Sequence, residues 1–122
     1  MKEMMNTIDE LHQKAMELAE EAFYAKREGN LEGAQSKYLS AFEYERAAAM
    51  LLVNEYAQEP TRSVLFRSAA SLLLNLPHPD VENFRQAERM VAFGLSGTPP
   101  AEIAEELRGA WQELMEYFKQ AA

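Results

Sequence analysis

Arg62 and Arg67 are the first residues of this 122-residue chain whose types and placement could do chemistry. They lie between Pro60 and Pro79, a stretch with no acidic residue, in a molecule whose formal net charge is −8. A guanidinium holds a carboxylate or phosphate through two parallel hydrogen bonds, so a locally positive island is a candidate for anion recognition. The alternative is that both pair with Glu residues of the neighbouring long helix, the ordinary fate of a surface Arg.

Other candidates weigh less. Asp9-x-x-His12 has the spacing of a helical metal-ligand pair. A di-iron bundle needs Glu-x-x-His from each of two helices, however, and here the pattern occurs once, with Asp in place of Glu. A solvated or capping role near a helix start is simpler, as it is for the cluster of Glu17, Glu20 and Glu21. Ser63, Ser68 and Ser71 share one predicted helix with no His or Lys placed to activate them. His78 sits between two prolines and faces water. Met1, Met4, Met5 and Met16 form either an adaptable face or ordinary packing. Trp111, Tyr117 and Phe118 read as the packing side of a helix. No Gly-rich phosphate loop or dinucleotide fingerprint occurs. The residues give no support for an enzyme, and no catalytic residue, cofactor or metal is expected.

The elements that would position these side chains are helices. Ile8, Leu11, Ala15, Leu18, Ala22 and Ala25 recur at helical spacing and predict a helix over about 6–28, capped by Asn6 or Thr7 and closed by Gly29. Leu31, Ala34, Tyr38, Ala41, Phe42, Glu45, Ala48, Ala49, Leu52 and Tyr56 hold the period to about Ala57, with Glu45 as one charged exception. That predicts roughly 27 residues or 40 Å, long enough to overhang its partner. A third helix is expected over about 61–76, capped by Thr61 or Ser63. Pro77-His78-Pro79-Asp80 forms a rigid connector, and Asp80 caps a fourth helix over about 81–95. A fifth runs from about Ala101 to Lys119 with Ile103, Leu107, Trp111, Leu114 and Phe118 on one stripe. No segment alternates with period two, so no strand is expected.

Composition fits one soluble domain spanning 1–122. The chain is 48% hydrophobic and 26% charged, with five Gly and five Pro. Net negative charge disfavours nucleic acid and anionic membranes as partners, because both attract an excess of Lys and Arg. There is no Cys, hence no disulfide framework and no thiolate chemistry. The N-terminus lacks the basic-then-apolar order of a secretory signal, and no apolar run nears the roughly 20 residues of a membrane span. A cytoplasmic location is the simplest expectation.

Two segments echo one another. Leu18-x-x-x-Ala22-x-x-Ala25 leads through Gly29-Asn30 into Leu31-x-x-Ala34-x-x-x-Tyr38-x-x-Ala41. Phe66-x-x-x-Ala70-x-x-Leu73 leads through a turn into Phe84-x-x-Ala87-x-x-x-Val91-x-x-Gly94. This resembles the tetratricopeptide repeat family over roughly 18–94. The departures are a spacing of about 50 residues between matching alanines where the family has about 34, and Arg46 where the family closes with Pro. The resemblance implies an all-α, right-handed array of two helical hairpins with the fifth helix as a cap. It also implies a concave groove lined by the first and third helices, at Met16, Ala19, Phe23, Lys26, Val64, Arg67, Ser71 and Leu74. The function implied is an adaptor that binds a peptide segment of a partner protein, an acidic segment being one option through Lys26 and Arg67. The rival expectation is a structural subunit or scaffold that forms a homodimer through the overhanging end of the second helix, at Leu51, Leu52, Val53 and Tyr56.

Overall fold

Gly29 takes φ +85°, the left-handed backbone that ends a helix without steric cost, and the chain reverses there. Asn30 follows as N-cap, its side chain accepting a hydrogen bond from the Gly33 amide. The computed structural model describes residues 1–121 and holds no strand among them. The helices are α1 (Lys2–Arg27), α2 (Leu31–Leu51), α3 (Thr61–Leu74), α4 (Val81–Leu95) and α5 (Ala101–Ala121), with a short 3₁₀ turn at Tyr56–Gln58.

The all-α expectation holds, with five helices. α4 spans the residues expected of it, and Asp80 caps it in a reciprocal box with Asn83. Two boundaries and one cap differ. α1 begins at Lys2, so Thr7 is inside the helix and donates its hydroxyl to the Glu3 carbonyl instead of capping. α3 is capped by neither Thr61 nor Ser63: Pro60 takes the cap position, and the preceding Glu59 side chain reaches forward to the Ser63 amide. α2 stops at Leu51 after 21 residues, not near Ala57. At the turn Leu52 is fully in the core, with Val53 packed against it. The overhanging α2 end expected to serve self-association is therefore not formed; Leu51 and Tyr56 alone of that group stay exposed.

Ala22, Ala34, Ala70 and Ala87 are all buried, and their small side chains let paired helices approach closely. α1 and α2 are antiparallel, with His12 beside Glu45 and Glu21 beside Lys37. α3 and α4 are antiparallel too, with Phe66 against Phe93 at 5.4 Å between ring centroids. The two hairpins stack in the same sense. Ile8 and His12 of α1 border Thr61 and Leu65 early in α3, and Lys26 near the end of α1 donates to the Asn75 carbonyl that ends α3. Gln35, early in α2, exchanges two 3.0 Å hydrogen bonds with the His78 backbone just before α4. α5 packs on α4 and α3. Its Tyr117 stacks on Phe84 at 3.7 Å, while Arg85 lies 3.9 Å from the Phe118 ring centroid.

Stacking in one sense gathers the C-terminal ends of α2 and α4 and the N-terminal start of α3 at one pole. Arg62 is fully buried there. Its Nε donates to the Val53 carbonyl just past α2, and its Nη2 donates to Ser96, the C-cap of α4. The guanidinium also lies 4.8 Å from the Tyr56 ring centroid and 5.2 Å from that of Phe66. Glu59 supplies the opposite charge at the opposite kind of helix end. Its carboxylate accepts from the Ser63 amide at 2.8 Å, from the Ser63 hydroxyl at 2.6 and 2.7 Å, and from the Thr98 amide at 3.0 Å. A cation at helix C-termini and an anion at an N-terminus both match the helix dipoles.

Gly97 passes between these two groups. A Cβ there would fall 2.5 Å from Arg62 Nη1 and 2.8 Å from Glu59 Oε2. Gly97→Ala is expected to lower stability by about 1–3 kcal/mol through that clash. Glu59→Ala is expected to cost about 1–2 kcal/mol as the α3 cap is lost. Urea unfolding midpoints of the two variants measure both, and unchanged midpoints would rule out a structural role for the pole.

Candidate functional site

Between α1, α3 and α5 lies an open trough of about 620 Å³. Its position follows from small residues. Ala19 on α1, Ser68 and Ser71 on α3 and Ala110 on α5 do not reach across the gap, while Met16 and Leu74 give it apolar walls. The aromatic residues of α5 turn elsewhere, Tyr117 and Phe118 engaging Phe84 and Arg85 of α4. No side chain of the core cluster's aromatics lines the trough.

Five of the eight residues proposed from sequence border this one space: Met16, Ala19, Arg67, Ser71 and Leu74. The other three lie around it. Phe23 continues the α1 stripe one turn beyond Ala19 and is 53% exposed, edge-on to Tyr24. Lys26 donates to the Asn75 carbonyl at 2.9 Å, a cation at the C-terminal end of α3. Val64 lines a separate, smaller recess of about 190 Å³ with Ile8, Asp9 and His12.

Sequence reasoning did not find the third wall. Glu106, Ala110 and Glu113 recur on one face of α5 and close the trough opposite α1. Their spacing was visible in the sequence, but nothing local shows which neighbour that face meets. Arg67 donates to Glu106 at 2.9 Å. Internal pairing is thus the fate of Arg67, with a Glu of α5 and not of the long second helix. Arg62, its companion in the positive island, is buried at the pole described above and does not line the trough.

The Asp9-x-x-His12 pair also finds its place. His12 Nδ1 lies 2.9 Å from both carboxylate oxygens of Glu45, the one charged member of the α2 stripe, whose side chain is wholly buried. The imidazole supplies the hydrogen bond that a buried carboxylate requires, and so fastens α1 to α2. Ser63 is likewise accounted for by Glu59. Tyr38, in the seam between the same two helices, has its phenol pushed above the ordinary 10.0 by burial. Among the described residues no helix is long and apolar enough to cross a membrane.

Removing the imidazole in His12→Ala leaves the Glu45 carboxylate buried without its partner, with an expected loss of about 1–3 kcal/mol; Glu45→Leu in the same background should recover part of it. Thermal unfolding of the single and double variants measures this coupling. For Tyr38, the folded state holds its proton to higher pH than the unfolded state. Its contribution is therefore whole below the ordinary phenol value and lost as pH rises through the folded one. Tyr38→Phe is expected to reduce the loss of stability above about pH 10, read from denaturation series at rising pH. No family model, curated protein or solved structure matches this chain.

Proposed function

We propose that this protein is a non-enzymatic interaction module with a tetratricopeptide-like stack of two hairpins and a capping helix, and that it binds a peptide segment of a partner protein in the trough between α1 and α3. The observation that carries this reading is the trough itself. It is open, has apolar walls at Met16 and Leu74, and is floored by small residues that leave room for side chains of another molecule. The parallel run of α1 with α3 supports a repeat-like stack, because each hairpin presents its first helix to the same side. A cytoplasmic location belongs to this reading and agrees with the lack of Cys.

Affinity in such a site comes from burying side chains of the partner against Met16, Leu74 and the exposed Phe23 ring. Ser68 and Ser71 line the trough, and in this reading their hydroxyls meet backbone groups of the guest. Arg67, held by Glu106, positions that end of the site more than it attracts charge. For the homodimer reading, the turn at Leu52 buries that residue and leaves Leu51 and Tyr56 exposed without the continuous overhanging helix it assumed.

The test is a photo-crosslinking amino acid placed at Ser71, with Tyr44 on the exposed face of α2 as the control position. In native extract Ser71 is expected to capture one dominant partner that Tyr44 does not. Met16→Asp should abolish that product while leaving the circular dichroism spectrum unchanged. Equal capture at both positions, or capture indifferent to Met16→Asp, would remove the trough from the function.

A further inference from the structure

We infer that the trough takes a basic, apolar-anchored segment, and not an acidic one; this rests on the peptide-binding reading above. The argument is the charge left over once internal pairs are made. Three charged residues line the trough, and Arg67 is paired with Glu106 at 2.9 Å. Glu113, two turns further along the same wall, has no ion-pair partner among the described residues. Lys26, the other cation expected to receive an acidic guest, is held by the Asn75 carbonyl.

Further round α1, outside the lining of the trough, the surface is acidic as well. Beside the apolar stripe of Met16, Ala19 and Phe23, α1 carries Glu17, Glu20 and Glu21, which border a shallow depression with Lys14 and Tyr24. Glu21 reaches Lys37 at 3.7 Å, whereas Glu17 and Glu20 make no ion pair among the described residues. Lys14 is the one cation along that edge. The trough therefore carries one surplus carboxylate, at Glu113, beside apolar walls at Met16 and Leu74, with further unpaired carboxylates on α1 outside it, in a molecule of net charge −8. A guest that seats apolar side chains against these walls and brings Lys or Arg to Glu113 satisfies both features. An acidic guest would meet like charge at Glu113, and the cations at the trough, Arg67 and Lys26, are already engaged.

The occupant's chemistry is thus a protein segment with apolar anchors spaced to one face and basic residues flanking them. Attraction between such charges acts over about 8 Å at physiological ionic strength, so its mark is salt dependence. The experiment is selection of a random short-peptide library displayed on phage against the full chain, with Ser71→Trp, which fills the trough, as counter-target. Enriched sequences are expected to combine paired apolar residues with net positive charge and to be lost on Ser71→Trp. A synthetic peptide of the enriched consensus should bind about 5-fold more weakly to Glu113→Lys and weaken further as salt rises.

Enriched sequences that are neutral or acidic, yet lost on Ser71→Trp, would overturn the charge inference and leave the trough as the binding site. Enrichment indifferent to Ser71→Trp, or none above an unrelated helical protein, would overturn the trough reading and this inference with it. Circular dichroism of Ser71→Trp and Glu113→Lys separates lost binding from lost folding, and both positions are exposed, so folding is expected to persist.

Discussion

The structure depends most on the burial of a guanidinium where three helix ends meet. Stacking two hairpins in the same sense brings the C-terminal ends of α2 and α4 to one pole. Arg62 bridges them, donating to the Val53 carbonyl past α2 and to the Ser96 hydroxyl at the end of α4, with the Tyr56 and Phe66 rings on its flanks. Nη1 is left without a partner among the described residues. An isolated charge in such a place costs several kcal/mol, so the helix ends and the ring faces are what make burial tolerable. Glu59 works at the other polarity, joining the start of α3 to the turn before α5 through the Thr98 amide. Five segments of chain are registered by two side chains three residues apart in sequence.

That pole explains why α2 ends early. The residues after Leu51 are apolar enough to continue a helix, and Pro60 is too far away to stop it there. The turn leaves the Val53 carbonyl outside the helix ladder, where it gains a charged donor in Arg62. Tertiary contacts override local propensity here, as they commonly do where propensity is a few tenths of a kcal/mol per residue.

Much of the fold was legible because punctuation and periodicity agreed. Gly29-Asn30 and Asp80-Val81-Glu82-Asn83 carry helix-end chemistry in their own side chains, and both ends lie where that chemistry places them. The Glu59-Pro60-Thr61-Arg62-Ser63 start misled, because Thr61 and Ser63 are good caps in isolation while the capping oxygen comes from Glu59. The candidate site was half legible. A helix face can be read from spacing, which is why Met16, Ala19, Arg67, Ser71 and Leu74 were found together. Which face of α5 closes the trough depends on the crossing of helices distant in sequence, and no local pattern encodes it. The partners of Arg67 and Glu45 were hidden for the same reason. Each is a long-range pair, 39 residues apart for Arg67 with Glu106 and 33 for Glu45 with His12.

The trough lies between the two ends of α1 and α3. At one end Ile8 and His12 share a recess of about 190 Å³ with Thr61 and Leu65, and α3 is anchored by Glu59 and Arg62. At the other, Lys26 clasps the Asn75 carbonyl. Between these ties the facing residues are Ala19, Ser68 and Ser71, too short to fill the space. The bonds that anchor α3, from Arg62 to Val53 and Ser96 and from the Ser63 amide to Glu59, lie at one pole and leave the middle of the helix to border open space. The peptide guest proposed above would fill that space against Met16 and Leu74, and its ordering is the entropic cost that burial of its side chains must offset.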